Sequence, residues 1–206
     1  MNHRPLVFID VETTGGRSDN SRVLDIGIIR VENGKVVKVM NQLVQPETSV
    51  PAFITDITGI TNEMVWNQPT FKTLAPELEI ILKDALFIAH HVAFDYGFIK
   101  QEFKRIGINF NSDRMCTVKL SRLLHPEQHR HSLDKIIERM GLDVKNRHRG
   151  YDDAEVLWKF FADEYSKHGN DLFLKMRGIT VMARKPSVQL KSQTNLFSNV
   201  SVRWVK

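Results

Sequence analysis

Two carboxylates stand two residues apart, Asp10 and Glu12, at the end of the apolar run Leu6-Val7-Phe8-Ile9 and just ahead of Thr13-Thr14-Gly15. Four consecutive apolar residues read as a strand buried on both faces. Side chains alternate along a strand, so Asp10 and Glu12 point to the same side within one pleat repeat. Like charges held that close repel, and burial makes ionising both harder still. A bound cation removes the conflict. For one acidic residue, capping a turn is the ordinary reading; for a pair at this spacing, metal binding is favoured if the chain supplies further carboxylates.

Two later stretches supply them. Ala85-Leu86-Phe87-Ile88-Ala89 is a second short buried strand that runs into His90-His91, and Phe94, Phe98, Ile99 and Phe103 follow at helical intervals. Asp95 therefore falls in the first turn of a helix that starts where the strand stops. Ligands gather at the carboxyl ends of strands in open α/β sheets, which puts Asp95 beside Asp10 and Glu12. In His148-Arg149-Gly150-Tyr151-Asp152-Asp153-Ala154, Asp153 shares a helical stripe with Leu157 and Phe160, whereas Asp152 is turned about 100° away. His148 precedes that helix by about one turn and is expected to reach the same pocket from a flexible position near Gly150. Alone it would be a turn or capping residue.

The elements that position these residues alternate along the chain. Val23 to Val31 and Val36 to Val44 read as antiparallel strands around an Asn33-Gly34 turn. Pro46 and Pro51 end that sheet edge, and Ile57-Thr58-Gly59-Ile60-Thr61 opens a helix-rich segment. Phe71, Leu74, Leu78, Ile81 and Leu82 keep helical spacing for packing. Around Met115-Cys116-Thr117 lies a short stretch, followed by a helix through Leu124 and another from an N-cap at Ser132 to Gly141. His125, His129 and His131 are irregularly spaced and receive no chemistry.

At 206 residues, 42% hydrophobic and 26% charged, the chain has the make-up of an ordinary globular protein with one sizeable core and an appendage. Its single cysteine, Cys116, excludes a disulfide framework and reads as a small buried hydrophobe. No signal-like apolar stretch precedes the first strand and no run is long enough to span a bilayer, so a soluble, cytoplasmic setting is expected, with no membrane partner. The net charge of +5 is unevenly placed: residues 167–206 hold eight Lys or Arg against one Asp, a net +7, which leaves −2 for residues 1–166. A carboxylate-bearing body with a basic tail fits a polyanionic partner, and equally a merely solvated tail.

The segments FIDVETTG, HHVAFDYGF and HRGYDDA, in this order and at these separations, closely resemble the three motifs of the DnaQ-like DEDDh 3′-5′ exonucleases, whose members include the ε subunit of bacterial DNA polymerase III. The likeness runs over roughly residues 5 to 165, and three motifs in register carry far more weight than any one. It implies an α/β, ribonuclease H-like fold: a mixed five-stranded sheet flanked by helices, three antiparallel strands first and two parallel ones after. It places the metal carboxylates at Asp10, Glu12, Asp95 and Asp153, with Asp10 bridging, and the general base at His148. Hard oxygen ligands suit two divalent ions, Mg²⁺ or Mn²⁺. Thr13, Thr14, Gly15, Ile60, His91 and Phe94 are expected to contact substrate, Ile60 from the apolar loop Gly59 to Met64, whose residues would wedge or stack on terminal bases, although packing under such a loop is their commoner use. Two positions depart from the family pattern: His91 stands where asparagine is usual, and Gly150 where alanine is, the latter expected to loosen the segment that carries His148.

The function so implied is metal-dependent 3′-5′ hydrolysis of DNA, at a single strand or a frayed 3′ end, in proofreading or repair. An exoribonuclease and a non-catalytic module that binds nucleic acid or a polymerase are the alternatives. The exonuclease domain is expected over residues 1–177 and a basic tail over 178–206. In that tail Gln193-Thr194-Asn195-Leu196-Phe197 resembles the pentapeptide by which bacterial replication proteins bind the sliding clamp. Packing of Leu196 and Phe197 on their own domain, or an edge strand through Val200, Val202 and Trp204, is the competing reading.

Overall fold

The computed structural model describes residues 4–183. Strand β1 (Leu6–Thr13) pairs antiparallel with β2 (Val23–Glu32), and β2 with β3 (Lys35–Leu43). The turn between β2 and β3 puts Asn33 and Gly34 at φ 50° and 75°, the left-handed pair that matches the twist of a two-residue hairpin. Strands β4 (Leu86–Ala89) and β5 (Arg114–Cys116) add in parallel on the other side of β1, giving the order β3-β2-β1-β4-β5. The expected mixed sheet of three antiparallel and two parallel strands is the one found.

Helices cover both faces. Before β4 come α1 (Ala52–Thr58), α2 (Asn62–Trp66) and α3 (Phe71–Leu82), and after it α4 (Ala93–Arg105). After β5 follow α5 (Thr117–Leu124), α6 (Leu133–Met140), α7 (Gly150–His168) and α8 (Asp171–Arg177). Alternation along β1 divides its side chains between two cores. Val7, Ile9 and Val11 pack with Leu78, Phe98 and Phe103 of α3 and α4. Leu6 and Phe8 pack with Ile136, Leu157 and Phe160 of α6 and α7. Burial on both faces is why the first half of β1, Leu6 to Ile9, is apolar. It also fixes where the even-numbered acids go: Asp10 and Glu12 fall on the α7 side.

Two local readings change. The helix-rich segment expected from Ile57 onward is present as α2 and α3, but helix begins earlier, with α1, which closes on Gly59 at φ 70°, whose N–H donates to the Thr55 carbonyl at 2.8 Å. Ser132 stands at the N-cap of α6, yet its side chain makes no capping bond; Gly141 ends that helix in the left-handed conformation, as expected. Cys116 is buried and unpaired. Beyond α8, Val181 bridges Arg114, and the Ala183 N–H donates to Asp113 Oδ1 at 2.6 Å. Gln193 to Phe197 and the rest of the basic tail lie outside the described residues. Among the described residues, no helix is long and apolar enough to cross a membrane.

Candidate active site

Strand β1 runs past its pairing with β4, which stops at Phe8 and Ile88. Asp95, in the first turn of α4 and only 2% exposed, takes the Val11 N–H through Oδ1 at 3.2 Å. One backbone bond thus seats the third carboxylate against the strand that carries the first two. The fourth arrives from the opposite face. Asp153, in the first turn of α7 and 4% exposed, accepts the His148 N–H at 3.3 Å and pairs with the Arg147 guanidinium. Arg147 also donates through Nε to Asp134 Oδ1 at 3.0 Å.

Asp10, Glu12, Asp95, His148 and Asp153 line one cleft of about 410 Å³, together with His90, His91, Phe94 and Arg147. Ligand atoms of Glu12, His148 and Asp153 all lie within 4.8 Å of one another, the grouping a metal ion needs. His148 is exposed at the rim with φ 62°, a left-handed conformation that a non-glycine residue adopts at a cost of about 1–3 kcal/mol. His91 shares it at φ 60°.

The electrostatics state the conflict posed by the first two acids. Burial, then Asp95, Asp153 and Glu12, push Asp10 well above the ordinary carboxylate range, with Arg147 opposing. Burial, then Asp153 and Asp25, take Glu12 to about 7. Burial takes Asp95 to about 8 against the donor bond from Val11, with Glu12 and Asp153 adding to the rise. Asp153 is raised by burial and pulled back by Arg147. Ionising all four groups together is disfavoured, and added positive charge relieves that cost. A set of carboxylate oxygens with one imidazole fits hard divalent ions such as Mg²⁺ or Mn²⁺.

The expected substrate contacts divide. His91 and Phe94, the latter 40% exposed and packed on Phe98 with ring centroids 4.8 Å apart, face the cleft. Thr13 and Thr14 do not line it: the Thr13 hydroxyl donates to the Gly15 carbonyl at 2.8 Å, and the Thr14 hydroxyl accepts the Arg22 N–H at 2.9 Å. Gly15 completes that turn, where a Cβ would meet Ser21 Oγ at 2.7 Å. Ile60 is corrected outright. It is fully buried with Leu24, Val50, Ile54 and Val65, and the exposed apolar groups of its segment are Phe53, Ile57, Met64 and Trp66.

Gly150 is corrected as well. It is buried, not loose, and begins α7 directly on β2: a Cβ there would lie 2.7 Å from Gly27 N and 2.9 Å from Asp10 O. The backbones meet because both residues lack side chains. Sequence reasoning also passed over Asp25, Arg147 and Arg149. The visible signal was one acid inside Val23-Leu24-Asp25-Ile26-Gly27, a charge in an otherwise buried strand.

A β3-β2-β1-β4-β5 mixed sheet with an acidic cleft where the central strands end defines a ribonuclease H-like nuclease fold. The chain belongs to the exonuclease family, whose sequence model matches residues 7–161. It is 34% identical over 168 residues to the DNA polymerase III subunit epsilon of Aquifex aeolicus, a match covering 79% of this chain and 83% of that one. It is 35% identical to the 3′-5′ exonuclease DinG of Bacillus subtilis over 81% of this chain and 18% of that protein. It is 32% identical to the PolC-type DNA polymerase III of Clostridium perfringens over 78% and 11%. The chain thus spans under a fifth of these two larger relatives. In fold it is similar to E. coli exonuclease I in complex with a dT13 oligonucleotide, with a TM-score of 0.72 at 15% identity over 84% of this chain and 43% of that one. The nuclease domain of 3′hExo, a DEDDh family member bound to rAMP, gives 0.68 at 17% identity over 80% and 92%.

Proposed function

We propose that this cleft hydrolyses the terminal phosphodiester bond at the 3′ end of DNA and releases nucleoside 5′-monophosphates. The observation that carries the reading is the convergence of four carboxylates and His148, from three separate stretches of the chain, on one cleft where burial first and neighbouring carboxylates second raise Asp10, Glu12 and Asp95 above the ordinary carboxylate range. Asp10, Glu12, Asp95 and Asp153 are the residues that would hold two divalent ions. Such ions, when bound, supply the positive charge that activates a water and stabilises an in-line phosphoryl displacement. His148, exposed at the rim, accepts the proton of the attacking water, the general-base role an imidazole serves more often than any other side chain. His91 and Phe94 offer ring faces to the terminal base.

DNA is favoured over RNA by the likeness to a polymerase III epsilon subunit along most of its length. The same likeness supports a role in proofreading or repair beside a DNA polymerase, in the cytoplasm. The pentapeptide from Gln193 to Phe197 supports docking on a sliding clamp, and deleting residues 190–206 tests it: clamp binding must be lost. Residues 1–177 would then form the catalytic domain and 178–206 the docking tail.

The chemistry is tested on a 3′-labelled oligonucleotide with Mg²⁺ or Mn²⁺, as DNA and as RNA of one sequence. Asp153→Ala and His148→Ala are expected to abolish mononucleotide release while circular dichroism stays that of the wild type. Full activity in either variant refutes the assignment, and faster release from RNA makes the enzyme an exoribonuclease. A wild type that binds DNA without degrading it is a binding module.

A further inference from the structure

Resting on that reading, a second question is what holds His148 in place. It sits in a non-helical segment, at a backbone angle that costs energy, and its own ring is exposed. Neither its conformation nor its exposure fixes where the imidazole stands. Its neighbours do. On one side Arg147 is tied to Asp134 and Asp153. On the other, Arg149 donates through Nε to Asp25 Oδ2 at 2.9 Å, and the same oxygen accepts the Gly150 N–H at 3.3 Å.

Asp25 is an unusual anchor. It is fully buried in β2, directly across from Glu12 in the strand register, and reaches the residue that follows His148 from 124 positions away in sequence. A buried charge is a poor device for stability, since a well-packed apolar residue of similar size commonly does as well. Its value lies in direction. One carboxylate oxygen fixes both the side chain of Arg149 and the first amide of α7, and so sets the path of the backbone between His148 and Asp153. Close contact between Gly27 and Gly150 leaves that path no slack.

We propose that Asp25, acting through Arg149 and the Gly150 amide, is the positioning residue for the His148 base. The left-handed turn at His148 is held against its strain by this anchor, with Arg147 as the opposite one. Without Asp25 the segment relaxes, and the imidazole leaves the neighbourhood of Glu12 and Asp153.

The test compares Arg149→Gln, Asp25→Asn and the double variant with wild type, and His148→Ala as the control. Each single variant is expected to lower kcat on a 3′-labelled DNA oligonucleotide in Mg²⁺ by on the order of 10²-fold, the loss that small misplacements of a catalytic group produce. KM should stay at the wild-type value, and the double variant should lose no more than the worse single one. Metal-free hydrogen exchange at the amides of residues 147–150 should quicken in both. Both readouts must move. Wild-type kcat in Arg149→Gln, a fall matched by a rise in KM, or unchanged exchange overturns the proposal. Arg149 is 29% exposed, so its variant remains decisive if Asp25→Asn fails to fold. If wild type itself degrades no oligonucleotide, the functional reading fails, and the exchange comparison still decides whether Asp25 holds the segment.

Discussion

Arg147 bridges Asp153 of the cleft and Asp134 in the first turn of α6, so a single guanidinium holds a prospective metal ligand and ties it to a second helix. A fixed cation there does part of what a metal ion would do and resists its arrival. Arg147→Met is therefore expected to bind Mn²⁺ more tightly, by about tenfold: a charge a few ångströms away is worth several kcal/mol at an effective dielectric near 20, discounted here for partial exposure. Calorimetric titration without substrate reads it. Equal or weaker binding would show that Arg147 supports the site instead of competing for it.

Glu12 and Asp95 are raised to about 7 and about 8, and this gives the metal-free protein an inverted pH dependence. A carboxyl whose folded pKa lies above its unfolded value binds more protons when folded, so the stability it contributes is full below about 4 and is lost as pH rises to the folded value. Melting temperature in chelator should fall from pH 5 to 8, and Glu12→Gln should flatten the fall. In Mg²⁺ the decline should vanish, with protons released on binding. A metal-free melting temperature that climbs over this interval contradicts the raised values.

How far the sequence carried the fold and site depends on what each residue answers to. Strand β1, the Asn33-Gly34 turn and the inward stripe of α7 were legible because periodicity and turn chemistry are local. The acids converged as expected because ligands collect where strands end in such sheets. Ile60 misled because an apolar residue in a short loop looks the same whether it wedges a base or fills a satellite core, and only the packing of Leu24, Val50 and Val65 decides. Gly150 misled for a related reason: flexibility and close approach call for the same residue, and the partner, Gly27, lies in a distant strand.

Glu102 supplies a contrast in which burial serves the scaffold alone. It is 1% exposed on α4 and accepts Arg22 Nε at 2.9 Å and the Val23 N–H at 3.2 Å, with Arg105 3.1 Å away. These bonds tie α4 to the start of β2. Glu102→Ala leaves the Val23 amide and Arg22 Nε without their partner, Arg22 keeping only its 2.8 Å pair with Glu47, and is expected to cost about 2–3 kcal/mol of unfolding free energy in urea. Glu102 does not line the cleft, so kcat at a temperature where the variant is folded should match wild type. A large drop in kcat there would tie this network to the chemistry.

Gly150→Ala separates the two readings of that glycine. The added methyl would sit 2.7 Å from Gly27 N and 2.9 Å from Asp10 O, both backbone atoms that cannot rotate away. Start of α7 must lift from β2, and overpacking of this kind costs about 1–3 kcal/mol. The lift also stretches the Gly150 bond to Asp25 and moves Asp153 relative to Asp10, so metal affinity should fall along with stability. Were Gly150 there for looseness, alanine would instead stabilise the segment, by about 0.4–1 kcal/mol through a stiffer unfolded chain, and leave metal binding unchanged. Urea unfolding and Mn²⁺ titration on the one variant distinguish these outcomes, because the two readings give opposite signs for stability.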